Sequence, residues 1–123
     1  MSRAPQHPTR EQIELPMVLD CLSDPIRLAI VYHLARHEHG SSELRCGDFS
    51  ELGGKSNLAY HFAKLRESGV MQTRIVGTAR LMRLRREDLD ARFPGLLDAV
   101  LTSAARDAER LQLPECEEQA VAD

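Results

Sequence analysis

The chain has 123 residues, enough for one domain and its terminal tails. A hydrophobic content of 42% can build a core, but with 4% aromatics and no Trp it must be filled by Leu, Ile, Val and Ala, which suits packed helices. No apolar run approaches the roughly 18 residues needed to span a membrane and the N-terminus has no signal-peptide core, which predicts a cytoplasmic protein without a membrane partner, while the formal net charge of -3 by itself argues against nucleic acid.

Residues 1–10 contain two Pro, a His and polar residues without periodicity, and predict a flexible arm. A single folded domain is expected over 11–112, followed by an acidic flexible tail over 113–123. From Glu11 to Leu22 the residues Ile13, Leu15, Val18, Leu19 and Leu22 give an amphipathic pattern interrupted by Pro16, consistent with a short helix starting at that proline. Ser23-Asp24-Pro25 reads as a helix start, with Asp24 as N-cap and Pro25 at the first helical position, where its missing N–H costs nothing. Ile26, Leu28, Ile30, Val31 and Leu34 make that helix apolar over a wide arc, and Gly40 stops it. Phe49 and Leu52 predict a brief helix within 43–52, ahead of the Gly53-Gly54 turn.

Lys55 to Met71, KSNLAYHFAKLRESGVM, is the most informative stretch. Leu58, Phe62 and Leu65 recur at steps of four and three and make one apolar helix face, leaving Asn57, Tyr60, His61 and Lys64 largely on the other. Gly69 ends the helix, and Val70-Met71 opens an extended run. Val70 to Leu84 has an approximate period of two with a break at Val76-Gly77-Thr78, which predicts a β-hairpin with its tip near Gly77. Charge is unevenly spread: Lys55, Lys64, Arg66, Arg74, Arg80, Arg83, Arg85 and Arg86 face a single acid, Glu67, over this region. A phosphate backbone meets the local field, so the global charge misleads. Arg86 to Phe93 predicts a helical turn and Pro94-Gly95 a boundary. Leu96, Leu97, Val100, Leu101, Ala104, Ala108 and Leu111 then form a long stripe at helical spacing, more than one small domain can cover, so a helix from a second subunit is its expected partner.

In this order the segments LSDPIRLAIVYHL (22–34), KSNLAYHFAKLRESGVM (55–71) and VGTARLMRLRREDL (76–89) resemble the ArsR/SmtB family of winged helix-turn-helix repressors, a likeness that covers most of Met17 to Leu111. The resemblance implies a mainly α fold with a small β-hairpin as wing. It also implies a homodimer through the first and last helices, bound to a palindromic operator in double-stranded DNA and released by a chemical signal. Two reading helices related by a two-fold axis would enter successive major grooves about 34 Å apart.

On the reading helix Ser56 is expected to cap the N-terminus, with Lys55 facing phosphate. Asn57 carries the donor and acceptor pair that suits an adenine edge, Tyr60 and His61 could contact bases or sugars, and Lys64 suits a phosphate. His61 has a competing place, half-buried beside Phe62. In the wing, Thr78 lies near the tip, and Arg80 and Arg83 suit backbone or minor-groove contacts. Arg85 and Arg86 are expected to be solvated or paired with Glu87 and Asp88 rather than bound to DNA.

Members of the family sense metals, metalloids, sulfur or redox state through Cys and His. Some carry Cys-x-Cys before the reading helix, but here Arg45-Cys46-Gly47 puts a lone Cys between the expected positions. Others place Asp and His ligands on the last helix, which here has Asp98, Asp107 and Glu109 but no His. The odd, widely spaced Cys21, Cys46 and Cys116 read as free thiols, with convergence on a three-coordinate metalloid as the alternative to structural burial. His33 and His37 have ligand-compatible spacing, set against the plainer role of cations at a helix C-terminus. The fold requires no cofactor. No phosphate loop, paired carboxylates or Ser/His/Asp arrangement points to an enzyme. The alternative to a DNA-binding regulator is a winged-helix protein-interaction module, which the acidic tail and net charge favour.

Overall fold

In the computed structural model, which describes residues 6–37 and 43–111 and only the backbone of Cys46 and Leu111, each of the first two α-helices has a proline in its first turn. Helix α1 (Leu15–Leu22) has Pro16 in its first turn and buries Val18, Cys21 and Leu22. Helix α2 (Pro25–Arg36) is capped as the sequence predicts: Asp24 Oδ1 accepts from the N–H of Ile26 at 2.8 Å and of Arg27 at 3.1 Å. Gly40, the expected stop, lies outside the described residues.

The brief helix expected within 43–52 is preceded by a strand. Leu44–Arg45 (β1) pairs antiparallel with a later strand, and Cys46–Leu52 then makes a 3-10 helix that buries Phe49. Two residues carry no periodicity, so only the tertiary pairing reveals β1. Helix α3 (Lys55–Glu67) forms where the reading helix is expected, with Leu58, Phe62 and Leu65 buried. It closes in a Schellman motif: Gly69 has φ +87, its N–H donates to Arg66 O, and Val70 N–H reaches back to Leu65 O at 3.1 Å.

Strands β2 (Met71–Val76) and β3 (Ala79–Leu84) form the hairpin, joined by Gly77-Thr78 with Gly77 at φ +62, and the sheet order is β1-β3-β2. Register assigns the two sheet faces. Leu44, Met71, Thr73, Met82 and Leu84 share the buried face, and Arg45, Gln72, Arg74, Leu81 and Arg83 share the other.

Helices α4 (Arg86–Arg92), α5 (Leu96–Arg106) and α6 (Ala108–Leu111) complete the chain. The stripe expected on one long helix is thus broken at Asp107, whose N–H turns back to Ser103 O and Ala104 O. It is also largely absorbed at home: Leu97 is buried, Leu96, Val100 and Leu101 pack on the main core, and Ala104 packs with Ala29. The exposed large apolar residues lie instead on α1 (Leu15, Met17, Leu19), on the reading helix (Tyr60) and near the hairpin tip (Ile75, Val76).

The described part of the N-terminal segment runs against the hairpin base and α4. Thr73 N–H donates to His7 Nε2 at 3.0 Å, Arg85 Nη1 to Pro8 O at 2.7 Å, Arg10 Nε to Asp88 at 2.7 Å and Arg92 Nε to Ile13 O at 3.1 Å. Ile13 is fully buried against Gly69. No helix among the described residues is long and apolar enough to cross a membrane.

Candidate nucleic-acid interface

Helix α3 presents Asn57, Tyr60 and Lys64 at steps of three and four, hence on one face, and all three are exposed. Tyr60 is 56% exposed, a large value for an aromatic in a chain with so few. Lys64 Nζ sits 5.6 Å from its ring centroid, so the cation and the ring form one unit. An added Cβ at Gly53 would lie 3.4 Å from Asn57 Nδ2, which puts the amide against the Gly53-Gly54 turn at the start of the helix.

One expectation on this helix needs correction, and of the two placements open to His61 the outward one does not hold. Ser56 does not cap it: Gly54 is the N-cap, without a side-chain cap bond, and Ser56 is an exposed second helical residue beside the exposed Lys55. The first-turn N–H groups are therefore not taken by a side-chain cap, as an anion-binding helix start requires. His61 does not face outward either. It is 6% exposed, and its Nδ1 lies 3.3 Å from Arg27 Nη1. A guanidinium only donates, so Nδ1 accepts. Arg27 also donates Nε–H to Cys21 O, and so ties the end of α1 and the start of α2 to the reading helix. Sequence reasoning missed that role. The one available signal was its position just after the Asp24-Pro25 cap, on the helix next to the reading helix.

The hairpin separates its two candidate arginines. Arg80 pairs in register with Ile75 and continues the helix-side face of the sheet toward the tip, where Thr78 is exposed. Arg83 pairs with Gln72 on the opposite face. There Arg74 holds Glu43 by two hydrogen bonds of 2.8 Å, and that contact, with Arg83 adding to it, keeps the Glu43 carboxyl below its ordinary range. Arg80 thus lies on the sheet face shared with Met82 and Leu84, and Arg83 on the opposite one. Arg85 is buried and paired with Asp88 at 2.8 Å, and Arg86 pairs with Asp98 at 2.9 Å. Neither projects as a DNA contact; the partner of Arg85 is Asp88, one of the two acids expected.

Of the sensing candidates, Cys21 is buried, and burial pushes its thiol above the ordinary range, with Ser68 and Arg27 opposing. The Cys46 side chain and all of Cys116, the other two thiols of the expected set, lie outside the described residues. The rings of His33 and His37 are 4.7 Å apart, and His33 stands edge-on to Phe49 at 5.3 Å. Among the described residues no group of three or more His, Cys, Asp or Glu is placed to hold a metal ion.

No protein-family model matches the chain. It is 33% identical over 85 residues to an uncharacterized HTH-type transcriptional regulator, YceK, of Bacillus subtilis (strain 168), a match that covers 68% of this chain and 82% of that protein. The structure of this chain is similar to the crystal structure of an ArsR family transcriptional regulator, with a TM-score of 0.52, 18% identity, and coverage of 90% of this chain and 100% of the other.

Proposed function

Because this chain belongs to the HTH-type transcriptional regulators and has the fold of an ArsR family member, a regulator and not an enzyme, we propose that it is a dimeric, sequence-specific repressor on a palindromic operator. The observation that carries this is the exposed face of α3 formed by Asn57, Tyr60 and Lys64, followed directly in the chain by a hairpin whose tip exposes Thr78 and Arg80. Asn57 and Tyr60 read base edges in the major groove, and Lys55, Lys64 and Arg80 hold phosphates. Thr78 and Arg80 approach the minor groove beside the site. Leu15 and Leu19, one turn apart on α1, supply apolar surface for a second copy together with the partly covered residues of α5.

Release by a chemical signal completes the reading. The buried, protonated Cys21 is a poor nucleophile and a poor metal ligand, which argues against a sensor built on that thiol alone. Fluorescence anisotropy with duplex DNA tests the DNA-binding step: affinity should fall steeply as salt rises, through counterion release. Absence of duplex binding, or binding indifferent to salt, would favour the protein-interaction module instead.

A further inference from the structure

Between α1 and the last turn of α3 lies a cavity of about 270 Å3. Met17 and Asp20 of α1, Arg27 of α2, and Lys64, Glu67 and Ser68 at the end of the reading helix form its wall. Small-molecule sites usually span about 300–1,000 Å3, so this volume suits a ligand at the small end, of amino-acid size.

The charges decide the ligand class. Arg27 and Lys64 oppose Asp20 and Glu67, and among the described residues neither Asp20, Lys64 nor Glu67 takes part in an ion pair. A simple anion entering here would meet two carboxylates, and a simple cation two basic groups. A molecule carrying both charges satisfies both sets at once through charge-assisted hydrogen bonds. Arg27 is already oriented for this, because Cys21 O and His61 fix its guanidinium. Cys21, buried with its thiol pushed above the ordinary range, and Ser68, whose hydroxyl donates to Leu65 O, complete the lining with Pro16.

The cavity also avoids the surface proposed for the second copy. At 3.6 residues per turn, Leu15 and Leu19 point roughly 150° around α1 from the Pro16, Met17, Asp20 and Cys21 side. Covering the first flank leaves the second open.

We propose that this cavity binds a small zwitterion of the α-amino acid class, its carboxylate toward Arg27 and Lys64, its ammonium toward Asp20 and Glu67, and its side chain against Met17. Arg27 supports His61, and Lys64 belongs to the reading face, so occupancy bears directly on the reading helix. That consequence rests on the DNA-binding function proposed above; the binding itself does not.

Isothermal titration calorimetry on the full chain without DNA tests it, using the free L-amino acids and the N-acetyl and amide derivatives of the tightest one. Saturable binding is expected, with each blocked derivative at least about tenfold weaker. Asp20→Asn and Glu67→Gln should each weaken the parent compound about tenfold or more while leaving the melting temperature unchanged. The proposal is overturned if no amino acid binds at about millimolar concentration, if the N-acetyl form binds as well as its parent, or if neither variant alters affinity. Because DNA is absent, a failure here is distinct from a failure of operator binding.

Discussion

Gly69 holds together three parts of the molecule. Its positive φ closes α3, and Ile13 occupies the space a side chain would need, since an added Cβ would lie 2.5 Å from Ile13 Cγ1. Gly69→Ala should therefore cost about 2 kcal/mol or more, from left-handed strain plus overpacking, read as a lower melting temperature. Asp88 makes a second residue-scale case. Its carboxyl is held below the ordinary range first by the hydrogen bond from Arg10 and then by that from Arg85. A depressed carboxyl contributes stability above its unfolded pKa of about 3.9 and loses it as pH falls through the lower folded value. Asp88→Asn should destabilise the protein at neutral pH in urea unfolding, by on the order of 1 kcal/mol because its Arg10 partner is solvent-screened, and the gap to wild type should close as pH falls through the lowered folded value. The outward face of the reading helix was legible in the sequence because Asn57, Tyr60 and Lys64 keep helical spacing away from Leu58, Phe62 and Leu65. His61 was legible only as one of two placements, outward or half-buried beside Phe62, because it sits at the border of the buried arc. Arg27, 34 positions away in sequence, is the contact that turns it inward.

The wing illustrates what pattern can and cannot give for an element. Alternation and Gly77 were enough to locate the hairpin, yet treating Arg80 and Arg83 as one basic wing overlooked that residues of opposite parity on a strand face opposite ways. Arg80→Ala should weaken duplex binding and reduce the salt slope by about 1, whereas Arg83→Ala should change both less. An equal effect of the two, measured by anisotropy across a salt series, would remove the assignment of sides. The last helices show the opposite limit. Their stripe was correctly apolar, but periodicity does not say which body covers it, and the Leu97 and Ala104 positions are covered from within the chain. Strand β1 was invisible for a related reason, since its pairing with Leu81 and Met82 is a long-range fact.

For the molecule as a whole, apolar surface left over on α1 is the feature on which the proposed second copy rests. Leu15 is 40% and Leu19 46% exposed, too much for residues that could have been polar at no cost to the core. Leu15→Glu with Leu19→Glu should yield a folded monomer by light scattering, and its affinity for a two-half-site duplex should collapse toward that of a single contact. A variant that stays dimeric would move the interface elsewhere. The N-terminal segment adds a second molecule-wide element, because His7, Pro8, Arg10 and Ile13 join the wing and α4 directly ahead of α1.

The central claim is that the α3 face reads sequence, and selection from a randomised duplex library tests it most directly. The wild-type protein should enrich a palindrome with half-sites about one helical turn apart. Asn57→Ala and Tyr60→Ala should each lose about 1–3 kcal/mol of discrimination at particular positions within each half-site while keeping salt-dependent binding. Enrichment of no sequence, or of one that both variants bind as the wild type does, would contradict it.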